Sequence, residues 1–150
     1  MPASKRLVAA RTLLATTPFV MRTVGRAMRD HASPTRPLLP QQYRLLAAIG
    51  RCQRTLGQVA CIQGVTPATA TTLVTTLETR GWVTRQHDPD DRRRVVVSLT
   101  DGGEIMLARS QRIAEDAMAA RLESLTDDQL SRLLDGLTVL NQLATADSPF

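Results

Sequence analysis

The sequence predicts a mainly α chain with a small β-hairpin wing, and three observations carry that reading. Aromatic residues make up only 3% of the 150 positions, so the core has to be built from Leu, Val, Ala and Ile, and the many leucines and few glycines favour helices. Helix start and stop signals recur along the chain. Residues 83–99, VTRQHDPDDRRRVVVSL, set two runs of strand-forming residues around a tip of aspartates and arginines. The length suits one domain with a proper core.

The elements follow in order. Residues 4–16 read as a helix with Leu7, Val8, Leu13 and Leu14 on one face. Pro18 is expected to interrupt it, because proline has no N–H to donate, and to open a second helix after Thr17. That helix carries Phe19, Val20, Val24 and Met28 and ends near His31. Residues 32–40, with three prolines, read as a loop. A helix over 41–50 turns Tyr43, Leu45, Leu46 and Ile49 inward and closes at Gly50.

Thr55 and Gln58 fit a capping box before a short helix, about 56–62. Gly64 makes the turn. Thr66-Pro67 pairs an N-cap residue with proline at the first helical position. The helix it opens runs to about Arg80, with Ala70, Leu73, Val74 and Leu77 at i, i+3, i+4 and i+7, and Gly81 stops it. Two short helices joined by a turn are a helix–turn–helix pattern. Strands follow at 82–87 and 95–100, then a helix over 101–123 capped by Thr100. Thr126 and Gln129 form a second capping box, flanked by Leu125 and Leu130 as a hydrophobic staple. The last helix, 127–145, carries a stripe of Leu130, Leu133, Leu134, Leu137, Leu140 and Leu143, which needs a surface to cover it; a partner subunit is one candidate.

Charge is unevenly spread. Residues 1–94 hold 15 Lys and Arg against 5 Asp and Glu, whereas residues 95–150 hold 4 against 9. The basic part contains the helix–turn–helix and the hairpin, as a phosphate-binding face would require. A generally basic, soluble surface would give the same imbalance. Arg11 interrupts the N-terminal apolar run, so it does not read as a signal peptide. No segment approaches the roughly 20 apolar residues that span a bilayer. A cytoplasmic, nucleoid-associated protein with no membrane partner is expected. Cys52 and Cys61 make no disulfide framework and are expected to be reduced. No Cys/His spacing suggests a metal, no cofactor is implied, and no nucleophile–base pairing or glycine-rich phosphate loop suggests an enzyme.

A hairpin with three arginines at its tip suits a narrow, negatively charged groove. Beside a helix–turn–helix it forms a winged helix that reads duplex DNA. The motifs LLPQQYRLLAAI, TLGQVA, LVTTLETRGWVTR and DPDDRRRVVVSLTDGG, between Pro40 and Gly103, resemble the MarR family of bacterial winged-helix regulators. The most diagnostic is the Asp-x-Arg of the wing, here Asp91-Arg92-Arg93, followed by a strand and Leu99-Thr100-x-x-Gly103. The first 39 and last 45 residues match in helical character alone. The resemblance implies a homodimer in which segments 1–39 and 101–150 interlock and residues 40–100 form the DNA-binding lobe. It also implies a pseudo-palindromic operator with half-sites about one helical turn apart. The expected function is repression of nearby genes with release by a small phenolic or anionic effector.

Carried onto this chain, Arg93 takes the place of the wing arginine that enters the minor groove. Asp91 is expected to brace it by a charge-assisted contact, with Arg92 and Arg94 on phosphates. In isolation the same tip would read as a solvated turn with local ion pairs. On the recognition helix the outward residues are Thr66, Ala68, Thr69, Thr71, Thr72, Thr75, Thr76 and Thr79. Relatives commonly carry Arg or Lys at the positions of Thr72 and Thr76. Threonine cannot make the bidentate guanine contact, so the wing and the helix N-terminus carry more of the grip, or the threonines are simply tolerated surface residues.

Family effectors sit between the dimer helices and the DNA-binding lobe, where Arg22, Arg26, His31 and Arg44 are the candidate anion binders; His31 has the plainer reading of a cation at a helix end. Cys52, beside Arg51 and Arg54, is the candidate redox thiol, while Cys61 is expected in the core. Tyr43, Trp82 and the two phenylalanines are expected in core or interface. A thiol-responsive regulator and a winged-helix protein-interaction module without DNA binding are the competing functions.

Overall fold

The computed structural model describes residues 2–31, 38–52 and 54–146. They form two compact units, residues 1–117 and 118–150. The first unit opens with α1 (Pro2–Asp30) and α2 (Pro40–Arg51), followed by β1 (Arg54–Thr55), α3 (Leu56–Gln63) and α4 (Pro67–Thr79). The hairpin β2 (Val83–His87) and β3 (Val95–Leu99) leads into α5 (Asp101–Leu122), whose last turn passes into the second unit; that unit also holds α6 (Asp127–Ala146). Of the proline-rich loop expected over 32–40, residues 32–37 lie outside the described residues, as does Phe150; Leu38 and Leu39 are irregular and Pro40 already opens α2.

Local chemistry explains most of the boundaries. At α3, the Gln58 N–H donates to Thr55 Oγ1 at 3.2 Å while the Thr55 N–H donates to Gln58 Oε1 at 2.9 Å, so two otherwise unpaired helix-start amides are satisfied reciprocally. Gly64 ends that helix with φ 62°, a conformation in which any Cβ would be strained. Thr66 caps α4 by accepting from the Thr69 N–H at 3.2 Å. Gly81, at φ 74°, turns the chain from α4 into the sheet. Thr126 and Gln129 form the same reciprocal pair before α6.

The core of the first unit gathers Leu45, Leu46 and Ile49 from α2, Val59 and Ala60 from α3, and Ala70, Val74 and Leu77 from α4, closed by Trp82, Val83, Val97 and Leu107. Leu45, Leu46 and Leu77 are wholly buried, each stabilising the fold by roughly 1.5–3 kcal/mol relative to exposure. Gly103 lets α5 start against this core: a Cβ there would stand 1.9 Å from the Trp82 carbonyl oxygen.

Three expectations are corrected. Pro18 does not split the N-terminal segment; α1 runs through it as one helix. Proline removes the bond to the Leu14 carbonyl, and the turns on either side remain helical; the threonine hydroxyls of this stretch bond back along it, Thr12 to the Val8 carbonyl, Thr16 to Thr12 and Leu13, and Thr17 to Leu13. The sheet has three strands rather than two, in the order β1-β3-β2, with Arg54 opposite Val97 and Thr55 opposite Val96. Cys61 is exposed, not in the core, because the inward face of so short a helix is filled by Val59, Ala60 and Gln63. Phe19, expected in core or interface, is exposed on α1 and so is not part of this chain's core.

Candidate nucleic-acid interface

The helix–turn–helix is α3, the Gly64 turn and α4, seated on α2 through the shared core. Packing of Ala70, Val74 and Leu77 inward leaves the threonines outward. Thr66, Ala68, Thr69, Thr71, Thr72, Thr75 and Thr79 are exposed and Thr76 is half-buried. With Arg80, Thr71, Thr72, Thr75, Thr76 and Thr79 line a surface groove of about 520 Å³.

The wing is a regular antiparallel hairpin from Val83 opposite Leu99 to His87 opposite Val95. Its tip is folded by its own aspartates. The Asp88 N–H donates to the Arg94 carbonyl at 2.9 Å and the Arg94 N–H to the Asp91 carbonyl at 2.8 Å. Asp88 Oδ1 accepts from the Asp90 N–H at 2.9 Å, and Asp91 Oδ1 from the Arg93 N–H at 3.0 Å; these are the local side-chain-to-backbone turns that aspartate favours. The expected brace between Asp91 and Arg93 therefore acts on the main chain, not on the guanidinium. The ion pair of the tip is Arg94 Nη1 to Asp88 Oδ2, at 3.9 Å, with Arg94 exposed and Asp88 half-buried; at that length it is worth little. Residues 91–94 are all exposed. Their shape is set by backbone bonds while the Arg92 and Arg93 side chains are left outward.

Sequence reasoning missed Arg85. It stands on the face of β2 that also carries Val83, opposite the buried Val97. From there its Nη2 donates to the Thr71 carbonyl at 3.2 Å and to Thr75 Oγ1 at 2.6 Å. Its Nε lies 3.6 Å from Glu78 Oε2. An arginine from the wing thus holds three residues of α4. Period-two alternation from Val83 was the available signal, since it places residue 85 on the inward face. Arg80, at the other end of α4, stacks 5.0 Å from the Trp82 ring centroid and donates to Gln42 Oε1 on α2.

The four effector candidates are not brought together. Arg22 is exposed on α1, Arg26 pairs with Asp30 on the same helix, and Arg44 donates to Gln63 Oε1 at 3.4 Å. His31 lines a cavity of about 290 Å³ with Arg109, Arg112, Ile113, Asp116 and Ala117; its Nδ1 donates to the Ala27 carbonyl at 2.9 Å. Cys52 is exposed at the end of α2, while the guanidinium of Arg54 is buried and turned to the Ala48 carbonyl. Among the described residues, no group of three His, Cys, Asp or Glu side chains could hold a metal ion, and no helix is long and apolar enough to cross a membrane.

The profile of the MarR family matches residues 37–94, the span from α2 through the wing tip. Over that span the chain is similar to the MarR family. The chain is 41% identical over 73 residues to the transcriptional regulator HosA of Escherichia coli O111:H-, a match spanning 47% of this chain and about half, 53%, of HosA. It is 28% identical over 111 residues to the multiple antibiotic resistance protein MarR of Escherichia coli K12, covering 72% of this chain and 76% of that one. The fold is that of wild-type MarR from Escherichia coli in its apo form (TM-score 0.72, 22% identity, 87% of this chain and 95% of that one). It is likewise that of the regulator BldR from Sulfolobus solfataricus (TM-score 0.71, 21% identity, 95% and 98%). Among the described residues the chain is mostly helical with one small antiparallel sheet.

Proposed function

We propose that this MarR-like chain is a homodimeric DNA-binding repressor of nearby genes, released from a pseudo-palindromic operator by a small phenolic or anionic effector. The observation that carries the reading is the wing tip, where aspartates fold the backbone and leave Arg92 and Arg93 outward beside a winged helix. Arg93 enters the minor groove, where an arginine reads groove width and negative potential. Arg92 and Arg94 contact phosphates. The face of α4 made by Thr66, Ala68, Thr69, Thr71, Thr72, Thr75 and Thr76 enters the major groove.

Segments 1–39 and 101–150 form the dimer. Support comes from the large apolar side chains left exposed there, among them Leu7, Leu14 and Phe19 on α1 and Leu134, Leu137 and Leu143 on α6, since apolar side chains gathered on a surface mark interaction sites. Two-fold symmetry then sets half-sites roughly 34 Å apart. The cavity that sets Arg109 and Arg112 beside His31, with Asp116 also in its wall, supports an anionic effector.

The test is fluorescence anisotropy with labelled duplexes tiling the chromosomal region around its own gene. Affinity should fall linearly with salt on logarithmic axes, because phosphate contacts release counterions, with two chains bound per duplex. Absence of duplex affinity at low salt would overturn the reading in favour of a protein-interaction module.

A further inference from the structure

Every threonine from Thr71 to Thr79 on α4 uses its hydroxyl proton in the same way. Thr71, Thr72, Thr75, Thr76 and Thr79 donate to the carbonyls of Pro67, Ala68, Thr71, Thr72 and Thr75, each four residues back, at 2.8–3.1 Å. A hydroxyl has one proton to give. With it committed to the helix backbone, each side chain shows solvent a Cγ2 methyl and an oxygen that can only accept. Phosphate oxygens are acceptors too, so these threonines offer the DNA backbone no hydrogen bond. Guanine presents two acceptors in the major groove and is equally unmatched.

Thymine is matched, because its C5 methyl seeks an apolar contact. Thr75 is further committed, since its oxygen accepts from Arg85. Thr72 and Thr76 are not, and with Ala68 they stand at i, i+4 and i+8, one above another on the helix. At the end of that groove the Arg80 guanidinium is held against Trp82 and Gln42.

We propose that α4 reads thymine: Thr72 and Thr76 recognise C5 methyl groups in the major groove by van der Waals contact, and half-site specificity comes from those methyls rather than from hydrogen bonds to guanine. This rests on the DNA-binding reading above. It divides labour within the lobe. The wing arginines supply the phosphate and minor-groove grip, and the threonine row supplies sequence discrimination.

The test begins with duplexes that the purified full chain selects from a randomised pool. Each is resynthesised with deoxyuridine for thymidine in the half-site, which removes the methyl and nothing else. Affinity should fall about three- to fivefold for each contacted methyl. The pair Thr72→Val with Thr76→Val keeps the methyls and removes the hydroxyls, and should still distinguish thymine from uracil. The pair Thr72→Ser with Thr76→Ser does the reverse, and should bind both duplexes alike. Equal affinity of the wild-type chain for thymine and uracil duplexes would overturn the proposal. So would a serine pair that still discriminates while the valine pair does not. Failure to bind any duplex at low salt would instead overturn the DNA-binding reading itself.

Discussion

Arg85 on β2 donates from Nη2 to Oγ1 of Thr75 on α4 at 2.6 Å, and this bond ties the wing to the helix–turn–helix. Because the same guanidinium also reaches the Thr71 carbonyl and Glu78, the hairpin is held to α4 at a point between its base and its tip. Replacing Arg85 by Met should keep the fold but loosen that register. DNA affinity should fall about five- to twentyfold, since groups that are pre-organised before binding cost less to order on binding. In a double-mutant cycle with Thr75→Val, a coupling of roughly 0.5–3 kcal/mol is expected for groups in direct contact; a coupling near zero would mean that the bond contributes nothing.

The wing arginines should separate by their salt behaviour. Arg93→Ala is expected to weaken binding about tenfold or more, most strongly on operators with a narrow minor groove under the wing. Arg92→Ala should weaken binding evenly across sequences and reduce the salt slope by about 1, the loss of one phosphate contact. Anisotropy titrations at several salt concentrations measure both. Asp91→Asn retains an acceptor for the Arg93 N–H and should be milder than Asp91→Ala, because the carboxylate acts on the backbone of the tip.

Gly103→Ala should destabilise the chain by about 1–3 kcal/mol or more, the usual cost of overpacking a tight site. The added carbon meets the Trp82 backbone rather than the end of a flexible side chain, so little can give way. Thermal melting followed by circular dichroism reads the loss. Thr66→Ala, by comparison, removes one cap and should cost about 1 kcal/mol.

Alkaline titration offers a clean probe, because the chain has one tyrosine. Burial, and then the Glu115 carboxylate, hold the Tyr43 phenol above its ordinary 10.0. A raised folded-state pKa favours the protonated form in the folded chain. That contribution is fully present below the unfolded value and is lost as pH rises through the folded one. Tyrosinate absorbance should therefore appear later in the folded chain than in denaturant, and stability should fall on the alkaline side. Glu115→Gln should bring the folded value part of the way down.

Leu137→Glu and Leu143→Glu on α6 place charge on an exposed apolar stripe. Sedimentation velocity should show the shift from dimer to monomer, with the melting of α2 to α4 little changed. DNA affinity should fall with the loss of the second half-site. A chain that sediments as a monomer before any substitution would remove the dimer from the proposal.

Much was legible in the sequence because its signals are local. Thr55-Gln58, Gly64, Thr66-Pro67, Gly81 and Thr126-Gln129 each set a boundary through bonds within about four residues, and the predicted ends lie within a residue of those seen. The Asp-Arg run likewise marked the wing, since aspartates fold such tips on themselves. Tertiary structure alone decided the rest. α1 runs through Pro18 as one helix although proline removes a bond there. Arg54-Thr55 became a third strand only because β3 offered an unpaired edge beside it. Arg85 became the clamp on α4 because β2 packs against that helix; alternation along the strand gives the face of residue 85 but not its partners Thr71, Thr75 and Glu78. The threonines of α4 were visible from the start. Which atoms they present depends on where each hydroxyl proton goes, and the folded helix settles that by offering a carbonyl four residues back.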